Sequence, residues 1–122
     1  MMDRLNGISK NVSSHRGGRL EVHAGDLQGE IISMEDGETF LIGRDISKCA
    51  IICNSAKVSR VHVSITCQCG DDGHTEYLVR DLSTNGTISS MTGFLPKNQD
   101  VLIRPGTEIG LGRSDETIKF LE

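Results

Sequence analysis

The chain has 122 residues, 36% apolar, 25% charged and 3% aromatic, a length that suits one domain and excludes two. With three Phe, one Tyr and no Trp, its core has to be built from Ile, Val and Leu. A net charge of −4 speaks against the basic footprint that nonspecific nucleic-acid binding requires, and the longest apolar run, Cys49 to Cys53, is far short of the about 20 residues that span a bilayer.

Residues 1–18 are rich in Ser, Asn, Gly and Arg and carry no apolar stretch. They read as a flexible N-terminal tail and not as a signal peptide, which leaves 19–122 as the domain. From residue 19 a period of two sets in, first in Leu20, Val22 and Ala24. Short candidates follow at 30–34, 39–42 and 50–53. The clearest is 61–67, where Val61, Val63, Ile65 and Cys67 share one face. Further candidates lie at 76–80, 87–89, 101–104, 108–111 and 117–121. Turn signals separate them: Gly25-Asp26, Asp36-Gly37, Gly70-Asp71-Asp72-Gly73, Asn85-Gly86 and Pro105-Gly106. No window sustains an i, i+3, i+4, i+7 apolar stripe, so no substantial helix is expected. About ten short strands at this spacing imply a β-sandwich or barrel. The fold class is all-β.

Charge is unevenly spread. From Ile42 to His62 stand Arg44, Lys48, Lys57 and Arg60 against Asp45 alone, a basic island that suggests either a local anionic ligand or a solvated face. Cys49, Cys53, Cys67 and Cys69, in a chain without a secretion signal, read as reduced thiols of an intracellular, cytoplasmic protein. Their spacings, C-x3-C and then C-x-C, do not match the usual zinc patterns. They are expected to pack as small hydrophobes, and neither metal nor cofactor is called for.

Three polar clusters fall at strand ends or in loops: Gly43-Arg44, Ser59-Arg60-Val61-His62, and Asp81 to Thr87. Loops on a rigid scaffold are where binding groups concentrate. Guanidinium groups with hydroxyl and amide donors suit phosphate oxygens, and Arg is favoured where two-pronged contacts matter. In isolation, Ser59 and Thr84 could be simple turn formers, and Asn85-Gly86 is also a hairpin signal. Lys57 and Arg60 fit ligand contact or solvated charge equally well.

Taken together, the three clusters resemble the forkhead-associated (FHA) domain, a family of phosphothreonine-peptide readers, over about residues 19–121. Its Gly-Arg, Ser-Arg-x-His and Asp-x-Ser-Thr-Asn-Gly-Thr motifs stand here as Gly43-Arg44, Ser59 to His62 and Asp81 to Thr87, in the same order. Glu38 to Ile42 and Glu108 to Gly112 also look like the family. The resemblance implies an eleven-stranded β-sandwich. It implies that Arg44 and Ser59 contact phosphate with Arg60 beside them, that Thr84 completes the site and that Asn85 holds the peptide backbone. Lys57 would lie on the loop that selects the third residue after the phosphothreonine. Gly43, His62, Asp81 and Gly86 would be architectural, His62 bracing the loops. One departure is Ser89-Ser90-Met91-Thr92-Gly93, where the family often has Asn-Gly, and it bears on the shape of the hairpin that follows.

Two other functions compete. Ser59, His62 and Asp81 invite a nucleophile, base and orienter reading, although no nucleophile elbow or oxyanion hole is evident. An FHA-like scaffold could also bind proteins independently of phosphate. The ligand itself is expected in trans, from a phosphothreonine-containing protein or peptide, with no nucleic-acid or membrane partner. The tail holds Ser9, Ser13 and Ser14 but no threonine, and the first Thr, Thr39, falls in an expected strand.

Overall fold

Among the described residues, alternation in the sequence becomes eleven strands: β1 (Gly18–His23), β2 (Glu30–Met34), β3 (Thr39–Gly43), β4 (Ile51–Ile52), β5 (Val63–Cys69), β6 (Thr75–Asp81), β7 (Thr87–Ser89), β8 (Gly93–Phe94), β9 (Asp100–Ile103), β10 (Glu108–Leu111) and β11 (Thr117–Leu121). A 3-10 turn, Gly25–Leu27, follows β1. The computed structural model describes residues 17–122, so the tail expected over 1–18 lies outside the described residues except for Gly17 and Gly18.

The strands form a six-stranded sheet in the order β2-β1-β11-β10-β7-β8 and a five-stranded sheet in the order β4-β3-β5-β6-β9. All pairings between these strands are antiparallel except β3 with β4. Period-two patterning buries Leu20 and Val22 of β1 and Ile118 and Phe120 of β11 against Val63 and Ile65 of β5 and Tyr77 of β6. The scarcity of aromatic residues is met by placing Tyr77 and Phe120 together, ring centroids 4.8 Å apart. Burial pushes the Tyr77 phenol up to about 12. Its hydroxyl accepts the Arg19 N–H at 3.0 Å and donates to the Leu121 carbonyl, tying β6 to the opposite sheet. Among the described residues no helix is long and apolar enough to cross a membrane.

Local expectations shift in several places, and one strand, β8, has no counterpart in the sequence pattern. The strand expected at 61–67 runs from Val63 to Cys69, because pairing with β6 extends it to the Gly70–Gly73 turn while Val61 and His62 remain in the preceding loop. The displacement is two residues, which preserves the inward face. Ala24 leaves β1 to begin the 3-10 turn, yet it is fully buried. The 50–53 run contributes only Ile51–Ile52, parallel to β3. Finally, β8 is too short to show alternation. It pairs with β7 through Ile88–Phe94 and Ser89–Gly93, and the Met91 N–H donates to Ser89 Oγ at 3.1 Å inside the turn, where the sequence departs from the family pattern.

Candidate functional site

The three polar clusters converge at one end of the sandwich. Gly43 closes β3 where a Cβ would stand 2.3 Å from the Arg60 carbonyl oxygen and 2.8 Å from that of Ser59. Only glycine lets the two segments approach so closely. The Arg44 N–H then donates to the Ser59 carbonyl at 3.2 Å, and the Asp45 N–H to that of Arg60 at 3.0 Å. Arg44 is exposed. Its Nε donates to the Val58 carbonyl, which fixes the guanidinium and leaves both terminal nitrogens without a partner among the described residues.

His62 is 0% exposed, and its tautomer follows from its neighbours. The Ser59 N–H donates to Nδ1 at 2.9 Å, so Nδ1 carries no proton. Nε2 therefore does, and it donates to the Gly86 carbonyl 2.9 Å away. Burial lowers the imidazole's affinity for a second proton below its ordinary value and outweighs the Gly86 carbonyl and the Asp81 carboxylate, which act the other way. Neutral His62 thus braces the Ser59 loop against the segment after Asp81. Gly112, at φ +64°, completes the contact: its N–H also reaches the Gly86 carbonyl, at 2.9 Å, and a Cβ there would lie 2.1 Å from the Lys57 carbonyl oxygen.

Asp81, also 0% exposed, organises the third cluster. Its Oδ1 accepts the Ser83 N–H at 3.0 Å, the Ser83 hydroxyl, and the Thr87 hydroxyl at 2.9 Å. Its Oδ2 accepts Lys97 Nζ at 3.2 Å. Burial alone would raise this carboxyl, but the hydrogen bonds from Ser83, Thr87 and Lys97 together hold it below the usual carboxylate range. The Gly86 N–H donates to Ser83 Oγ at 2.8 Å, which closes the turn. Held this way, the Thr84 N–H meets Ser59 Oγ at 3.0 Å, and Asn85 Nδ2 donates to the Lys57 carbonyl at 2.9 Å.

Arg44, Ser59, Thr84, Asn85 and the Lys57 backbone are therefore joined directly or through one bond. Arg60 and Lys57, on the same loop as Ser59, expose their side chains, so with Arg44 three of the four cations of the basic stretch stand on these joined segments. The hydrolase constellation does not assemble. Ser59 reaches His62 through its backbone N–H, its Oγ meets Thr84 instead, and both imidazole nitrogens are occupied within a closed interior. Asp81 hydrogen-bonds Ser83, Thr87 and Lys97 and does not orient the imidazole.

Two supporting residues escaped the sequence reading. Lys97, between β8 and β9, bridges Asp81 and the Ser83 carbonyl, the latter at 2.9 Å. Glu116 accepts N–H groups from Gly25, Asn54 and Ser55 at 2.9, 3.1 and 3.0 Å, pinning the start of the loop that carries Lys57 and Ser59. No motif marks either one, since a lone Lys or Glu in a loop is ordinarily a solvated charge. Of the cysteines, Cys53 and Cys67 are buried as small hydrophobes, with thiols pushed up by burial to about 12 and about 11. Cys49 is half-buried and Cys69 exposed, so hydrophobic packing does not account for Cys69.

Comparison with known proteins agrees with this architecture. The model of the FHA domain family matches residues 40–112. The MEK1 FHA domain superposes with a TM-score of 0.72 at 22% identity, over 87% of this chain and 89% of that one. The FHA domain of CT664 from Chlamydia trachomatis gives 0.69 at 23% identity, over 87% and 97%. The N-terminal FHA domain of S. cerevisiae Rad53p, solved in complex with a phosphothreonine peptide, gives 0.66 at 22% identity, over 86% and 92%. No curated protein sequence matches the chain.

Proposed function

The chain belongs to the FHA domain family, and from that premise we propose that it is a non-catalytic intracellular module that binds a phosphothreonine peptide supplied in trans. Arg44 and Ser59 contact the phosphate with Arg60 beside them, and Thr84 completes the pocket. Asn85 holds the ligand's backbone, and Lys57 lies on the loop that selects the third residue after the phosphothreonine. Solved relatives support the ligand class, since the MEK1 domain was crystallised with a HOP1 phosphothreonine peptide and the Rad53p domain with a phosphothreonine peptide.

The observation that carries the reading is the 3.0 Å bond from the Thr84 N–H to Ser59 Oγ. It joins two loops 25 residues apart and occupies a lone pair of the hydroxyl, whose proton remains available to an acceptor. Arg44 adds the two terminal guanidinium nitrogens on the adjoining loop. A guanidinium next to a hydroxyl donor is a phosphate-binding combination.

Screening a degenerate phosphothreonine library, then titrating the best peptide calorimetrically, tests the proposal. Binding should vanish on phosphatase treatment and weaken with phosphoserine in place of phosphothreonine, because one buried methyl contributes about 0.8 kcal/mol. Binding that survives the phosphatase would instead mark a phosphate-independent scaffold and overturn it.

A further inference from the structure

Lys97 belongs to none of the motifs, yet it touches the core of the site's support. Its ammonium donates to Asp81 Oδ2 at 3.2 Å and to the Ser83 carbonyl at 2.9 Å. The other Asp81 oxygen is already taken by Ser83 and Thr87, so Lys97 supplies the balancing charge. The Asp81 side chain is 0% exposed, whereas that of Lys97 is 53% exposed. A buried carboxylate beneath the binding loops is thus neutralised by a lysine that solvent can reach.

From Lys97 to the phosphate rim is a short path. Ser83, held at its carbonyl by Lys97 and at its N–H by Asp81, precedes Thr84, whose N–H meets Ser59 Oγ. Ser83 Oγ also fixes the Gly86 N–H. The Lys97 backbone is anchored separately, by a bridge to Asp81 and by the Asn98 N–H donating to the Asp81 carbonyl at 2.8 Å. Altering the side chain therefore leaves the chain path in place.

We propose that Lys97 is a positioning residue of the peptide site, and that acylation of its ε-amine turns the site down. This rests on the phosphopeptide reading above. In the modification, the ε-ammonium gives one proton to solvent and the free amine attacks the carbonyl carbon of an acyl thioester. The C–N bond forms, the C–S bond breaks, and the departing thiolate takes the second proton shed by nitrogen. The resulting amide is neutral and carries one N–H, so it cannot serve both Oδ2 and the Ser83 carbonyl. Asp81 is left as a buried carboxylate without a counter-charge, an arrangement that a folded interior resists. The 82–86 segment shifts to admit water, and it carries the Thr84 N–H away from Ser59.

The test uses one probe, the tightest phosphothreonine peptide recovered from a degenerate library on the wild-type protein. Its Kd is measured on wild type, Lys97→Arg, Lys97→Gln, Lys119→Gln, and protein with Nε-acetyllysine installed at position 97. Lys97→Gln and the acetylated protein should bind about tenfold more weakly, the size at which a supporting group commonly acts on a neighbouring site, while Lys97→Arg stays within about threefold and Lys119→Gln is unchanged. Amide NMR spectra without ligand should show Ser83, Thr84 and Gly86 displaced in the two neutral proteins and restored by Arg, which a general loss of stability would not produce. Should Lys97→Gln not fold, the acetylated protein carries the test, and failure of both to fold would overturn the proposal by showing that the charge is needed for the fold itself. Undiminished affinity in folded, neutralised protein would also overturn it. Wild type that binds no phosphothreonine peptide would instead fail the phosphopeptide reading, and the proposal with it.

Discussion

Replacing Arg44 with Ala tests the phosphate assignment most directly, because the structure separates what the side chain does for the fold from what it offers a ligand. For the fold it provides one hydrogen bond, from Nε to the Val58 carbonyl, on an exposed residue. Losing that bond costs about 1 kcal/mol, which lowers the Tm of a domain this size by about 4–8 °C. For a ligand it offers its two terminal guanidinium nitrogens, and removing one partner from a desolvated charge pair costs about 2–5 kcal/mol. At about 1.4 kcal/mol per tenfold, that weakens binding by about 30- to 4,000-fold, enough to move a micromolar phosphopeptide out of calorimetric range. Arg44→Lys keeps the charge but loses the planar fork and the Nε bond, so it should fall between wild type and Ala. Circular dichroism at room temperature establishes that each variant is folded, and calorimetry with the same phosphothreonine peptide gives the affinities. If folded Arg44→Ala retains affinity within about threefold of wild type, a difference under 1 kcal/mol, the guanidinium does not hold the phosphate and the assignment fails.

Two further outcomes concern the braces beneath the site. Because burial holds the folded His62 imidazole below its ordinary 6.5, its contribution to stability is complete above about 6.5 and is lost as pH falls below that toward the folded value. In a His23→Gln background, which removes the His23–Glu21 pair, Tm should fall between pH 7.5 and 5, and the His62 ring resonance should titrate below 6.5; a ring that titrates above it would refute the neutral-brace account. Gly112→Ala and Gly37→Ala both place a side chain at positive φ, but the first puts its Cβ 2.1 Å from the Lys57 carbonyl oxygen, whereas position 37 has nothing within 4 Å. Thermal melts should give the first a loss of several kcal/mol and the second about 1 kcal/mol, the strain alone. Equal losses would mean that the close approach at Gly112 is not what selects glycine there.

How far the sequence could be read depends on whether a residue's role is local. The strands of the core were legible because burial imposes period two on neighbours, as in Val63, Ile65 and Cys67 of β5 or Ile118 and Phe120 of β11. The pattern misled at Val61-His62-Val63, where His62 and Val63 are both buried. There the chain is still a loop, and the buried imidazole is held by a hydrogen bond to Gly86, a residue 24 positions away, and not by strand geometry. The same distance explains the site. Arg44, Ser59, Thr84 and Asn85 could be picked out because each sits in a compact run of unusual residues, and phosphate chemistry favours those residue types. Lys97 and Glu116 could not, because each is a single ordinary charge whose meaning lies with partners remote in sequence: Asp81 and Ser83 for one, and the 54–55 backbone for the other. Groups that would meet a ligand are thus gathered where loops leave strands, while the groups that hold those loops are scattered wherever the fold happens to pass beneath them. A motif therefore reports the rim of this site, and the buried carboxylate at Asp81 with its lysine reports what keeps that rim in shape.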